Sequence, residues 1–471
     1  MKCFKLDGDK VRYLFTETLT ADLDTPVTLF LKCRSLGAPY LLESAEADSL
    51  WGRYSFIGIK PVAYWKLEKD RLEKTDMMAN LIETVATDIP FMEFSKRFSQ
   101  FEIPEGLPRF IGGAVGFINY DAVSLFLPLE ISSKRYDDFP LAMFVETQMV
   151  LVFDSFLKEI QIIYITENDN EQIAKLDIEL VRNRLKYPAI ESGCVVSNFH
   201  SLTSQERYER IVNAAKKRIV DGDIIQVVLA KIFSAEISGD PFYLYRQTRR
   251  INPSPYLFFL QMFDYFMFGS SPETLVRVED KKIFTRPIAG TRRRGQTKAE
   301  DDRLAAELIA DEKERAEHTM LVDLARNDVG RMAKSGTVTA DNLFTVKKYS
   351  HVMHMVSDVS AELKEGEDAF SVLASCFPAG TVSGAPKLKA MQIIDELEDY
   401  DRGPYAGACG YFSYNGNMDM AITIRSLFGH KARLYSGAGA GIVYDSIASR
   451  EWTETEEKAA FIKKAIEEDQ R

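Results

Sequence analysis

Residues 256–286 read YLFFLQMFDYFMFGSSPETLVRVEDKKIFTR, and the class of fold turns on them. The apolar run from Tyr256 to Phe268 is broken by Gln261 and Asp264. It is also shorter than the ~20 residues that a membrane helix needs. Two adjacent β-strands with a turn at Asp264 fit it better. Polar turns then divide the stretch into strands at 256–262, 265–270, 273–279 and 282–286, an antiparallel meander.

The flanks extend this pattern. Thr203 and Glu206 form a capping-box pattern ahead of a helix to about Val220, Asp221-Gly222 ends it, and 224–233 follows as a strand. Residues 190–203 mix Gly, Ser and Asn and are expected to be a linker. Before it, 41–44 and 53–58 are expected strands, 149–153 pairs with 157–165 around Asp154-Ser155, and 168–185 is a helix. Beyond the meander, helices are expected at 298–332, 370–375, 386–397 and 450–468, and strands at 352–361, 406–414, 417–427 and 431–435. Antiparallel runs with helices between them indicate α+β, not alternating βαβ units. The division is into an N-terminal domain, 1–190, and a C-terminal one, 200–471.

Bulk properties exclude several classes. The 471 residues are 46% hydrophobic and 27% charged, ordinary for a globular protein with a core of its own. The formal charge of -11 argues against nucleic acid, and Arg292-Arg293-Arg294, followed by Glu300, Asp301 and Asp302, reads as an exposed loop. Cys3, Cys33, Cys194, Cys376 and Cys409 form no C-x-x-C pair, which fits a reducing cytoplasm and not structural zinc. The segment Met1 to Lys10 is too charged for a signal peptide.

Two Glu-x-x-Glu pairs stand out, Glu314/Glu317 and Glu451/Glu454. Residues three apart share a helix face, so each pair can aim two carboxylates at one point. If the two helices face each other, four acids converge, and each pair at ~5 Å repels by roughly 3 kcal/mol at an effective dielectric near 20. Such a cluster needs a cation, and oxygen ligands favour magnesium. Exposed or capping glutamates would read the same: Asp311 can cap a helix with Glu314 in its first turn, and Glu451, Glu454 and Lys458 lie off the apolar stripe of Trp452, Thr455, Ala459, Ile462 and Ile466. Gly437-Ala438-Gly439-Ala440-Gly441 follows the Leu434-Tyr435 strand without a G-x-G-x-x-G spacing; it permits close backbone approach to a small anion, or a tight turn or bulge. The loop Pro378 to Lys387 opens a helix, either as an ordinary capped loop or as an anion site at the helix N-terminus with the Thr381 and Ser383 hydroxyls as added donors. His354 sits among apolar strand residues, as a core histidine or a catalytic one. Arg425 ends an apolar strand and needs a partner, a substrate carboxylate or a structural acid.

Taken in order, DIIQVVLA (223–230), GSSPE (269–273), RPIAGT (286–291), Glu317-His318, LVDLARND (321–328) and GTVSGAPK (380–387) resemble the chorismate-utilising enzymes. The resemblance covers residues 200–460 almost continuously. It implies that family's fold, large mostly antiparallel sheets with helices on the outer faces. Within the family the chain is similar to the members that form anthranilate. Isochorismate and salicylate synthases carry a lysine base where this chain has Gln226, and aminodeoxychorismate synthases typically carry a lysine where it has Ala289. Direct amination by ammonia needs neither.

The resemblance also implies roles. Glu317 and Glu454 would hold Mg2+, with Glu314 and Glu451 beside them, and the ion would anchor the ring carboxylate of chorismate. The Gly439-Ala440-Gly441 amides, Tyr405 and Arg425 would hold the enolpyruvyl carboxylate; Gly290, Thr291 and Thr381 would line the ring. Glu273 is the expected acid for hydroxyl departure and His354 the expected participant in pyruvate elimination. Glu43, Ser44, Pro255, Tyr256 and Leu257 would form a tryptophan feedback site, with Leu257 where the family often has methionine. No Gly-x-Cys-x-Gly turn is present, so the resemblance implies a separate glutamine amidotransferase subunit, in a heterotetramer, as the ammonia source. Two rivals remain: an aminodeoxychorismate synthase, and a silent tryptophan-binding regulator.

Overall fold

Strands Tyr256–Met262, Tyr265–Ser271, Thr274–Glu279 and Lys282–Thr285 form where the 256–286 stretch places them. They make two hairpins and not one continuous meander. Tyr265–Ser271 takes Ser426–His430 as its second neighbour, while Thr274–Glu279 takes Met418–Ile422. The chain therefore turns a corner at Pro272-Glu273, where proline has no N–H to give a ladder. The partner chain turns with it: the single strand expected at 417–427 is two, parted at Thr423-Ile424-Arg425, with Arg425 at φ +53°. Ile422 N–H donates to the Glu273 carbonyl (3.0 Å) and Ser270 N–H to the Arg425 carbonyl (3.1 Å), so the paired corner stays hydrogen-bonded.

The computed structural model describes residues 1–6, 11–45, 52–167, 169–349 and 352–469, with the side chains of 467–469 excepted. Residues 7–10, part of the charged segment Met1 to Lys10, and Asn168, the first residue of the expected helix 168–185, lie outside these. All strand pairs are antiparallel. Helices Gln205–Val220, Lys387–Leu397 and Ala448–Asp469 pack on the sheet of Gln226–Gly239 and Arg433–Ile442, and Glu312–Gly330 packs on Val352–Glu362. This is the α+β arrangement expected. Two large cores form, and residues from both 1–190 and 200–471 enter each. One joins Phe94 and Phe144 (ring centroids 5.0 Å) to Phe370 and Phe412 (4.0 Å). The other packs Phe30 between Phe242 and Phe259. The sheet also crosses the division, through Tyr40–Glu43 on Tyr256–Met262 and Gly113–Ile118 on Ala408–Ser413. No helix among the described residues is long and apolar enough to cross a membrane.

Several elements differ from their sequence reading. Residues 190–203 contain the strand Cys194–Ser201, laid along Gln226–Gly239 with Cys194 and Val196 inward. The helix after it is capped by Ser204, whose hydroxyl accepts from Arg207 N–H, one residue later than the expected cap. Arg292 and Arg293 end the strand Ile288–Arg293 and are not loop; Arg292 pairs with Asp311 and Glu314, and Arg294 with Asp301. The expected helix at 298–332 is two, Lys298–Ala310 and Glu312–Gly330, because the Asp311 side chain caps the second one. The strand Thr339–Lys348, polar and edge-lying, carried no apolar alternation to betray it.

Candidate active site

The floor of the site is the ladder between Gln226–Gly239 and Arg433–Ile442. Gly437 to Gly441 lie inside the second strand, not in a turn. Their lack of side chains has a direct cause. A Cβ at Gly437 would stand 2.1 Å from the Tyr405 ring, one at Gly439 2.9 Å from its hydroxyl, and one at Gly441 2.7 Å from Gln226 Nε2. Past Ser436 the strand has no paired strand on its Ser426–His430 side among the described residues. The Gly439 carbonyl points to that open edge, since Lys458 Nζ donates to it at 2.8 Å. N–H and C=O of one strand residue point the same way, and alternate residues point oppositely. The Gly439 and Gly441 amides therefore face the open edge, with Tyr405 at Gly439, while the Ala440 amide faces the ladder opposite Leu229.

Three groups converge from Ile288–Arg293 and Val352–Glu362. Gly290, at φ +63°, lies where a Cβ would meet Glu314 Oε2 at 3.0 Å, so both conformation and space demand glycine. His354 Nδ1 sits 3.0 Å from the Gly290 carbonyl and 3.1 Å from Thr291 Oγ1. A carbonyl only accepts, so Nδ1 carries the proton and Nε2 keeps its lone pair. Burial lowers the His354 pKa, which keeps the ring neutral near pH 7. Ala289 next to it is buried and offers no nucleophile.

Glu273 occupies the corner between the hairpins and is 7% exposed. Burial pushes its carboxyl up to about 8, with the Thr381 hydroxyl pulling weakly the other way. Glu273 and Thr381 line one cavity of about 400 Å³. Arg425, on the opposite strand of the corner, donates through Nη1 to the Lys458 carbonyl at 2.7 Å, tying helix Ala448–Asp469 to the sheet. Its partner is thus a helix carbonyl, and its remaining donors stay with Tyr405 and Glu454 nearby.

The four glutamates come from two helices, Glu312–Gly330 and Ala448–Asp469, and all are half-buried. Burial raises the Glu317 pKa, the Gln226 amide (Nε2 to Oε1, 3.3 Å) lowers it, and the charges of Glu314 and Glu454 raise it. The two pairs thus feel each other across the site. Glu314 is drawn to Arg292 (3.0 Å) and Glu454 to Lys458 (2.7 Å). Among the described residues no three acidic, imidazole or thiol groups already stand where they would share an ion. The donor set itself, carboxylate oxygens that repel one another, is of the kind that a hard divalent cation takes.

A second cavity, of about 730 Å³, lies between N-terminal residues and the 255–288 and 409–419 segments, and is lined by Glu43, Ser44, Pro255, Tyr256 and Leu257 together. Glu43 is buried there against Arg249 (Nε to Oε1, 2.9 Å) and the Tyr245 hydroxyl. Tyr256 donates to Asp419 at 2.8 Å and sits 2.9 Å from Thr274 Oγ1.

The model of the chorismate binding enzyme family matches residues 38–464. The chain belongs to the chorismate binding enzymes. Anthranilate synthase component 1 of Aquifex aeolicus is 45% identical to this enzyme over 96% of the chain and 94% of the relative. The corresponding protein of Acetivibrio thermocellus is 42% identical over 96% and 95%. The crystal structure of anthranilate synthase component I from Streptococcus pneumoniae superposes with a TM-score of 0.78 at 36% identity, covering 88% of this chain and 93% of that one. The menaquinone-specific isochorismate synthase of Escherichia coli, 19% identical with a TM-score of 0.71, shares the fold.

Sequence reading passed over one group that shapes this enzyme's site. Arg402 is 1% exposed and binds Glu398 through Nε and Nη2 (2.9 and 2.6 Å), the Val382 carbonyl (2.6 Å) and the Val228 carbonyl (2.7 Å). Glu398 also accepts from Ala230 N–H at 2.7 Å. The pair joins the site strand to the loop that holds Thr381. Its i,i+4 spacing at the end of helix Lys387–Leu397 was the available signal.

Proposed function

We propose that this chain is an anthranilate synthase component 1, converting chorismate and ammonia to anthranilate and pyruvate. The observation that carries the reading is Gln226. It is buried beside the glycine edge with its amide on Glu317. An amide cannot take a proton from water, so the nucleophile must arrive competent, as ammonia does. The names of relatives at 45% and 42% identity support the same branch.

Glu317 and Glu454 would hold Mg2+, with Glu314 and Glu451 completing the set. Bound there, the ion would supply positive charge against the ring carboxylate. The Gly439 and Gly441 amides, Tyr405 and Arg425 hold the enolpyruvyl carboxylate, while Gly290, Thr291 and Thr381 flank the ring. Ammonia forms a C–N bond at the ring carbon beside the carboxylate-bearing one. The double bonds shift, and the ring hydroxyl departs as water with the proton of Glu273. That carboxyl, at about 8, holds its proton at neutral pH. His354 Nε2 then faces the ring hydrogen that is lost as the enolpyruvyl C–O bond breaks. The hydrogen ends on the pyruvate methyl and the ring aromatises.

Ammonia comes from a separate glutamine amidotransferase subunit, in keeping with the "component 1" of the relatives' names. Tryptophan occupies the 730 Å³ cavity as feedback inhibitor. We place the reaction in the cytoplasm, in keeping with five cysteines that form no disulfide.

Chorismate, ammonium and Mg2+ incubated with the protein test the reading. Fluorescent anthranilate and equimolar pyruvate are expected, with loss of turnover on chelation and in Glu454→Gln. An amino-chorismate without pyruvate would move the chain to the aminodeoxychorismate branch. Absence of any turnover would leave the silent regulator.

A further inference from the structure

We propose that Asp328 and Lys387 form the outer end of a proton relay that recharges Glu273 between turnovers. The inference rests on the role of Glu273 just given. Each cycle takes the Glu273 proton away in the departing water. The new C–N bond leaves an ammonium that sheds one proton, so the whole cycle is proton-neutral, but Glu273 itself has to be reloaded before the next turnover. Glu273 is 7% exposed, and bound chorismate covers its ring side.

The cavity behind it supplies another route. Glu273 and Thr381 stand among its lining residues, and so does Asp328. Apolar side chains, Leu321 and Leu324 among them, wall the space between. It has room for a few water molecules. Thr381 Oγ1, buried without a hydrogen bond of regular geometry, gives such waters a polar contact beside Glu273. Asp328 lines the cavity, Lys387 Nζ holds its Oδ2 at 2.6 Å from outside the lining, and the Lys387 and Asp328 side chains keep 12% and 17% exposure.

Burial raises the Asp328 pKa above its ordinary value, and two cations beside it work the other way. Lys387 comes from helix Lys387–Leu397 and Arg331 from the cap of Glu312–Gly330. Both offset the upward push of burial on Asp328. The Cys376 thiol, from helix Ala369–Cys376, is pushed far up by burial and stays protonated. Nothing in the ammonia chemistry calls for this pair. It acts through Glu273 alone, as a positioning pair for protons.

Stopped-flow anthranilate fluorescence on the full chain, with chorismate, ammonium and Mg2+, separates relay from scaffold. In Asp328→Asn the first turnover runs at the wild-type rate, because Glu273 is loaded before mixing. Steady turnover then falls at least tenfold, with an unchanged KM for chorismate and an increased solvent deuterium effect. Asp328→Glu restores most of the steady rate. Ala325→Leu, which fills the cavity without touching the ion pair, gives the same burst and keeps the test open if Asp328→Asn does not fold. A first turnover slowed as much as the steady state, or no change in either, overturns the relay. Glu273→Gln is the control for the reading beneath it. A wild-type first turnover there removes Glu273 as the acid, whatever Asp328 does.

Discussion

Glu273 carries the sharpest consequence for pH. Burial raises its carboxyl from 4.5 to about 8, so the acid form dominates at neutral pH and is lost above it. Plots of kcat/KM against pH are expected to fall on the alkaline side with an apparent pKa near 8. In Glu273→Gln turnover drops by 10²-fold or more, the range for loss of a general acid, and the limb disappears from what remains. The same shift enters stability. A raised carboxyl contributes fully below 4.5, and its contribution is lost as pH rises through about 8. Melting temperatures of Glu273→Gln should therefore depend less on pH across that window. The position of Glu273 was legible in Gly269-Ser270-Ser271-Pro272-Glu273, but its burial was not, because the strand beside it arrives about 150 residues later. Gly437 to Gly441 show the opposite failure. Glycine marks a turn and a close approach alike, and only Tyr405 and Gln226 lying against the strand reveal which.

The buried Arg402–Glu398 pair binds three pieces of backbone that no local pattern links: Val228 and Ala230 on a strand, and Val382 in the Thr381 loop. Removing one partner leaves a buried charge uncompensated, which costs about 3–5 kcal/mol. Arg402→Met is expected to lose that much in urea unfolding and to release the Thr381 loop, raising KM for chorismate. An intact unfolding midpoint would show that the pair is neutral to the fold. Helix Ala448–Asp469 is secured in the same way. Lys231, buried with its ammonium over the Trp452 ring, binds Glu456 at 2.6 Å, one turn from the Glu451/Glu454 face. The helix and its apolar stripe were plain in the 3.6-residue period. The strand Cys194–Ser201 was not, since its Gly, Ser and Asn neighbours speak for a loop and its partner Gln226–Gly239 alone specifies it.

Both cavities meet at one residue. Thr274 lines the 730 Å³ pocket and the 400 Å³ one, and its hydroxyl reaches the Tyr256 hydroxyl on the first side, while its chain neighbour is Glu273 on the second. If tryptophan binds at Ser44 and Tyr256, Thr274 is the shortest bridge to the chemistry. Ser44→Arg is expected to keep activity and lose inhibition. Thr274→Val is expected to bind tryptophan within a few-fold of wild type and yet be inhibited less at saturation, checked by pairing calorimetry with inhibition curves. The class of fold was legible in local pattern and the candidate site segments in their resemblance to the chorismate-utilising enzymes, whereas this bridge exists only because strands distant in sequence share a corner. The crossing of the sheet between the two ends of the chain has a further consequence. Tyr40–Glu43 completes one ladder of the later residues and Gly113–Ile118 another, so a cut near residue 190 would leave each fragment with bare strand edges that only the other can cover. A tandem architecture of swappable modules is thereby closed to this chain in evolution, and its two ends must be inherited as one piece.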